Sequence, residues 1–158
     1  MNGFQVKKLL DPAALALMAG ILLGLIGLIV YSLTGVDDFN ETLSAPVLIF
    51  SIVAIALSFL VLGLRAFSID RFFRGTFDIL PFIAYLVGLI GLIYFVGSKI
   101  NYLTNVMVSI DGTTISAAFV LTAVSLLLSA IAFLLAGIFS QKEAREKKGG
   151  VEDESEHI

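Results

Sequence analysis

Residues 12–36 read Pro-Ala-Ala-Leu-Ala-Leu-Met-Ala-Gly-Ile-Leu-Leu-Gly-Leu-Ile-Gly-Leu-Ile-Val-Tyr-Ser-Leu-Thr-Gly-Val, without one charged side chain. A helix needs about 20 predominantly apolar residues to cross the roughly 30 Å of a bilayer's hydrocarbon. Three further stretches, 42–64, 79–98 and 112–141, are equally free of charge. Backbone polar groups in lipid must bond within their own segment, so each stretch is read as an α-helix. The composition agrees. The chain has 158 residues, 58% hydrophobic and 15% charged, with a mean hydropathy of +1.01. A water-soluble domain carries about 25% charged residues. The reading is an all-α integral membrane protein with four transmembrane helices at about 12–34, 45–67, 79–98 and 115–140. Residues 1–141 form the membrane domain and 142–158 a charged tail.

The first span follows Lys7 and Lys8 but is too long for a cleaved signal peptide, so it is expected to stay as an anchor. Orientation follows from the bases. Lys7 and Lys8, then Arg65, Arg71 and Arg74, then Lys142, Arg145, Lys147 and Lys148 all fall on one side, and only Lys99 on the other. That places both termini in the cytoplasm of a cell (plasma) membrane. The opposite side carries Asp37, Asp38, Glu41 and Asp111. Asp11-Pro12, Ser44 before Ala45-Pro46, and Asp78 before Pro81 are expected to start the first three helices.

The motif Gly-Leu-Ile-Gly-Leu-Ile occurs at 24–29 and again at 88–93, 64 positions later. Spans two and four match at an offset of 74, pairing Ser51, Ala56, Phe59, Leu60 and Gly63 with Ser125, Ala130, Phe133, Leu134 and Gly137. The pattern reads as tandem duplication of a helical hairpin, with the copies related by an axis along the membrane normal. Small residues recur on one helix face: Gly20, Gly24 and Gly27 in span one, Ala84, Gly88 and Gly91 in span three, and Ser125, Ser129, Ala132 and Ala136 in span four. Such faces let helix backbones approach closely in lipid. They pack either inside one four-helix bundle or against a partner helix. They are no dinucleotide fingerprint, since no strand precedes them.

The loop after span two interleaves Arg65, Arg71 and Arg74 with Phe67, Phe72, Phe73 and Phe77. Together with Lys7 and Lys8 these bases serve topology or lipid headgroups. Asp70 and Arg74 are spaced as a helical i,i+4 pair. Asn40-Glu41-Thr42 is a glycosylation sequon in the first outer loop. In the second outer loop, Ile100, Leu103, Val106, Met107 and Ile110 fit a helical stripe lying in the interface, followed by a turn at Asp111-Gly112. Asn101, Tyr102, Asn105 and Asp111 make this loop the candidate outer recognition surface. In the tail, Glu143–Lys147 and Lys142–Glu146 extend span four as a helix, Gly149-Gly150 is expected to end it, and the acidic remainder is expected to be disordered.

Chemistry is sparse. There is no Cys and a single His, His157 near the C-terminus. No span carries an ionisable carboxylate, imidazole, ammonium or guanidinium group in its interior, where proton-coupled transporters place one. No Ser/His pair, metal-ligand cluster or paired buried carboxylates can be assembled. The expectation is therefore a non-enzyme without cofactors or nucleic-acid partners. It is read as an accessory, assembly or scaffold subunit of a membrane complex, in contact with the lipid bilayer and with a membrane-protein partner or further copies of itself. The alternative is an oligomeric channel or carrier for a neutral or small solute, its lumen lined by hydroxyls.

Overall fold

The computed structural model describes residues 10–34, 43–66, 79–108 and 114–155, with side chains as far as residue 142. Its five helices are α1 (Pro12–Thr34), α2 (Ala45–Ala66), α3 (Leu80–Ser98), α4 (Ile100–Met107) and α5 (Ala117–Ser155). Four of them, α1, α2, α3 and α5 up to Lys142, are long and apolar enough to cross a membrane.

Helix direction follows from which ends meet. Asp11, at the start of α1, pairs with Arg65 at the end of α2, and Arg65 also reaches Ser140 far along α5. At the opposite end Tyr31 packs edge-on against Phe95 near the end of α3, and Phe95 stacks on Phe119 in the first turn of α5. So α1 and α3 run one way and α2 and α5 the other. The four long helices close a ring in which α1 packs on α2, α2 on α3, α3 on α5 and α5 on α1, the last interface being the most extensive. The interior holds two apolar clusters. One, centred on Leu17, Ile21, Ile55, Ala84, Phe133 and Ala136, fills the middle and the basic end. The other, around Tyr31, Val47, Phe95 and Leu126, fills the α4 end. Outward-facing Leu22, Ile29, Ile52, Phe59, Ile93 and Leu127 leave all four long helices apolar on the outside as well. A helix that is hydrophobic all round belongs in a large core or a membrane.

The helix starts differ in detail from the sequence pattern. The Asp11 carbonyl accepts the first α1 bond from Leu15 N–H (2.9 Å), while its carboxylate is turned to Arg65. The residue flanking the start of α3 is Ile79, which offers no side-chain cap, and Asp78 lies outside the described residues. Pro81 sits in the first turn of α3, where a missing N–H leaves no bond unmade. Ser116 is a cap the sequence reading missed: its Oγ accepts the Ala118 N–H (3.1 Å) and so satisfies one of the orphan donors of α5.

The end of α5 is a correction. The helix does not stop at Gly149-Gly150 but continues to Ser155, so residues 152–155 are helical. Glycine in a helix interior costs roughly 0.5–1 kcal/mol against alanine through backbone entropy, without any steric bar. The Glu/Lys i,i+4 spacing just before it favours continuation.

Both crossings at the α4 end are fastened by a tyrosine hydroxyl. Tyr31 accepts the backbone N–H of Ser44 (2.8 Å), the residue before α2. Tyr102 of α4 accepts the N–H of Ser116 (2.6 Å), the residue before α5, and donates to the Thr114 carbonyl (3.0 Å). All three bonds are part-buried, and a hydrogen bond contributes about 0.5–1.5 kcal/mol net to stability. Tyr102→Phe strips two backbone groups and Tyr31→Phe one, so both should lower the unfolding free energy in detergent, Tyr102→Phe by more. Tyr94→Phe, whose ring is exposed and stacked on Phe50, should leave it unchanged.

Candidate functional site

The features that organise the molecule lie in three tiers: the small-residue seam in the middle, a polar cluster at the basic end, and α4 at the other end.

The seam joins α1 to α5. Gly20, Gly24 and Gly27 are all buried. A Cβ built on Gly20 would stand 2.5 Å from the Phe133 ring and 3.2 Å from Ala132 Cβ. One on Gly24 would stand 3.0 Å from Ser129 Oγ and 3.1 Å from Ile55, and one on Gly27 3.2 Å from Leu126 and Ser125. The close approach lets Ser129 Oγ–H donate to the Gly20 carbonyl across the interface (2.7 Å), a buried bond between two helices. The glycine face of α1 is thus occupied by Ser125, Ser129 and Ala132 of the same chain.

The glycines of α3 are less crowded. Gly91 is buried against Ser51, whose Oγ would lie 3.1 Å from an added Cβ, whereas Gly88 has only ordinary contacts, at 3.7 Å from Ala54 and 4.0 Å from Ala130. Ala84 and Ala136 are fully buried and belong to the central cluster. Gly27 against Ser125 and Gly91 against Ser51 are the same contact under the sequence offsets of 64 and 74. One joins α1 to α5, the other α3 to α2.

Of the hydroxyls on the four long helices, those of Ser51, Ser58, Thr122, Ser125 and Ser129 are buried, while Tyr94 is exposed. Ser51 lies between α2 and α3, Ser129 between α1 and α5, and Ser58 donates to the Ala54 carbonyl of its own helix (2.9 Å). Ser51 and Thr122 are buried without a hydrogen-bond partner among the described residues. A shallow open groove on the outside of α1 is lined by Leu28, Ile29, Ser32 and Leu33. No group of three or more metal-ligating side chains occurs among the described residues.

At the basic end Arg65 is drawn inward rather than left to solvent. Its Nη1 donates to Asp11 Oδ2 (3.0 Å) and its Nη2 to Ser140 Oγ, tying α1, α2 and α5 together. The guanidinium is therefore engaged by protein groups and differs from a base free to meet lipid headgroups. Lys7, Lys8, Arg71 and Arg74 lie outside the described residues, as do Asp70 and the sequon at 40–42.

At the far end Lys99 is fully buried and forms both the end of α3 and the flank of α4, with φ −109° and ψ 14° breaking the helix. Of the candidate recognition residues, Asn101 and Asn105 are exposed, Asp111 lies outside the described residues, and Tyr102 is buried with its hydroxyl engaged. Of the expected interfacial stripe, Leu103 and Val106 are half-buried and Ile110 lies outside the described residues. Tyr102 faces the bundle, against Phe119 (5.6 Å between centroids), while Ile100 and Met107 face outward. The large aromatic ring has more area to bury than the aliphatic side chains and brings a hydroxyl that two backbone groups require.

No protein-family model matches the chain, and no curated protein or solved structure matches it.

Two outcomes are expected from this geometry. Overpacking a close-packed contact costs about 1–3 kcal/mol, and the Phe133 ring is too enclosed to move aside. Gly20→Ala should therefore destabilise the bundle by that amount in detergent unfolding. Gly63→Ala, with nothing within 4 Å, should be neutral or slightly stabilising, and Gly88→Ala should be tolerated. At the basic end, hydrogen bonds to charged groups contribute about 1.5–3 kcal/mol. Arg65→Ala should lose about that much, Ser140→Ala less, and a double-mutant cycle between Arg65 and Asp11 should give a positive coupling energy.

Proposed function

We propose that the chain is an integral membrane protein of four spans, with both termini in the cytoplasm of a cell membrane, that serves as a non-catalytic accessory or scaffold subunit of a membrane complex. Four helices long and apolar enough to span, apolar on their outward faces too, support the membrane placement. The gathering of every base but Lys99 on one side supports the orientation. Tandem duplication of a hairpin is part of the same reading. The matched contacts Gly27–Ser125 and Gly91–Ser51 support it independently of the sequence repeat.

One observation carries the functional reading: the interior of the bundle is filled by its own side chains. Phe133, Leu126, Ile55 and the seam hydroxyls close on the α1 glycines, with Ser129 bonded across the α1–α5 interface and Ser51 packed between α2 and α3. A protein packed this way acts through the surfaces it presents. Because the glycine face of α1 is covered by α5, those surfaces are the outward sides of the helices and the α4 end.

The test is purification of the tagged protein into native lipid particles, with co-purifying proteins identified and the particle mass determined. The expected result is a heteromeric complex of fixed stoichiometry. A pure homo-oligomer would overturn the accessory reading and favour the alternative, a channel or carrier for a neutral or small solute assembled from several bundles. Liposome flux would then measure that activity directly.

A further inference from the structure

The short helix α4 has three distinct sides. Successive residues turn by about 100°, which sets Lys99, Tyr102 and Val106 on the side facing the bundle. Lys99 and Tyr102 are buried and Val106 half-buried. Ile100, Leu103 and Met107 form the adjoining flank, with Ile100 58% and Met107 85% exposed. Asn101 and Asn105, both exposed, form the opposite flank. One side is thus protein-facing, one apolar and open, one amide-bearing and open.

Its height is set by aromatic contacts. The Tyr102 ring lies 5.6 Å from that of Phe119 in the first turn of α5, and Phe119 stacks at 5.4 Å on Phe95 in the last turn of α3. Tyr102 also holds Thr114 and Ser116, immediately before α5. The Tyr102 face of the helix therefore lies against the start of α5, level with Phe119 and Phe95 at the ends of two spans. The last two turns of α3, just before α4, also expose apolar side chains, Ile93 and Val96. At the same end the exposed Tyr94 stacks on Phe50, in the position where membrane proteins carry an aromatic belt.

We propose that α4 is an in-plane anchor in the outer leaflet. Ile100, Leu103 and Met107 enter the acyl-chain boundary, while Asn101 and Asn105 stay in the hydrated headgroup layer. This rests on the membrane reading above. Amphipathic helices at a lipid surface take this posture, and basic ones add attraction to anionic lipids. α4 carries no charged residue within Ile100–Met107, so its insertion is independent of headgroup charge. The anchor fixes the depth of the α4 end and holds Tyr102 over the start of α5.

The chain contains no cysteine, so single-cysteine variants need no prior engineering. Ile100→Cys, Met107→Cys, Asn101→Cys and Asn105→Cys, with Leu128→Cys on the outward face of α5 as reference, are labelled with a small environment-sensitive fluorophore. The full chain is reconstituted in phosphatidylcholine nanodiscs, where both faces meet buffer. The expected result is several-fold stronger quenching of positions 100 and 107 by lipids spin-labelled near the headgroup. Positions 101 and 105 should show the converse, several-fold stronger quenching by aqueous iodide. If the two pairs fail to separate while Leu128→Cys is quenched from the lipid, the anchor is overturned and the membrane reading stands. Shielding of 100 and 107 from both quenchers would also overturn it, in favour of a covering protein surface. Iodide access at Leu128→Cys would overturn the membrane reading and the anchor together.

Discussion

The bundle depends on how closely α1 can approach α5. In the membrane placement proposed above, apolar side chains gain nothing by leaving hydrocarbon for one another, so helices are held by close van der Waals packing and by hydrogen bonds between them. The α1–α5 seam uses both. Three glycines lower the surface of α1 along one face, and Phe133, Ser129, Ser125 and Leu126 fill the space. Ser129 then reaches the Gly20 carbonyl at 2.7 Å. That carbonyl also belongs to the helix ladder, and a carbonyl has a second lone pair to offer. The remaining helices complete a ring whose ends are fixed by stronger polar and aromatic contacts.

The middle and the ends follow different rules. In the middle, the contact of Gly27 with Ser125 is repeated by Gly91 with Ser51, as two similar hairpins packed around one axis would produce. At the ends the similarity stops. Arg65 ties Asp11 and Ser140 at one end, and the positions matching Arg65 and Ser140 in the other hairpin, Phe139 and Ala66, offer no charge or hydroxyl. At the other end Tyr31 corresponds to Phe95, which has no hydroxyl to give. Tyr102, on the additional helix α4, supplies the hydroxyl that holds the residue before α5. Tyr102 on α4 thus fastens the residue before α5 as Tyr31 fastens the residue before α2.

These asymmetries narrow where function can reside. The centre is committed to packing, and its hydroxyls are distributed over separate interfaces. The basic end is drawn together by an ion pair whose two members are mostly buried, 16% and 25% exposed. Among the described residues, the α4 end combines exposed amides, exposed apolar side chains and a buried lysine in a few turns of chain.

Much of this was legible without coordinates. Helix number, approximate limits and apolar character follow from charge-free stretches of sufficient length, because an apolar run has few ways to satisfy its backbone away from water. The short helix after Lys99 and the extension of α5 beyond Gln141 also follow from local periodicity, though not the passage of that helix through Gly149-Gly150. The partner of each small face was not legible: glycine spacing marks a face open to close approach, and the pattern is the same whether α5 or another protein fills it. Nor was the side on which α4 packs, where Tyr102 and Val106 turn to the bundle while Ile100 and Met107 stay outward. The sequence by itself determined the elements and their polarity, since those depend on composition within a single segment. Only the tertiary structure decided which faces meet, where Arg65 and Tyr102 point, and what remains exposed, because those depend on residues from 12 to 109 positions apart coming into contact.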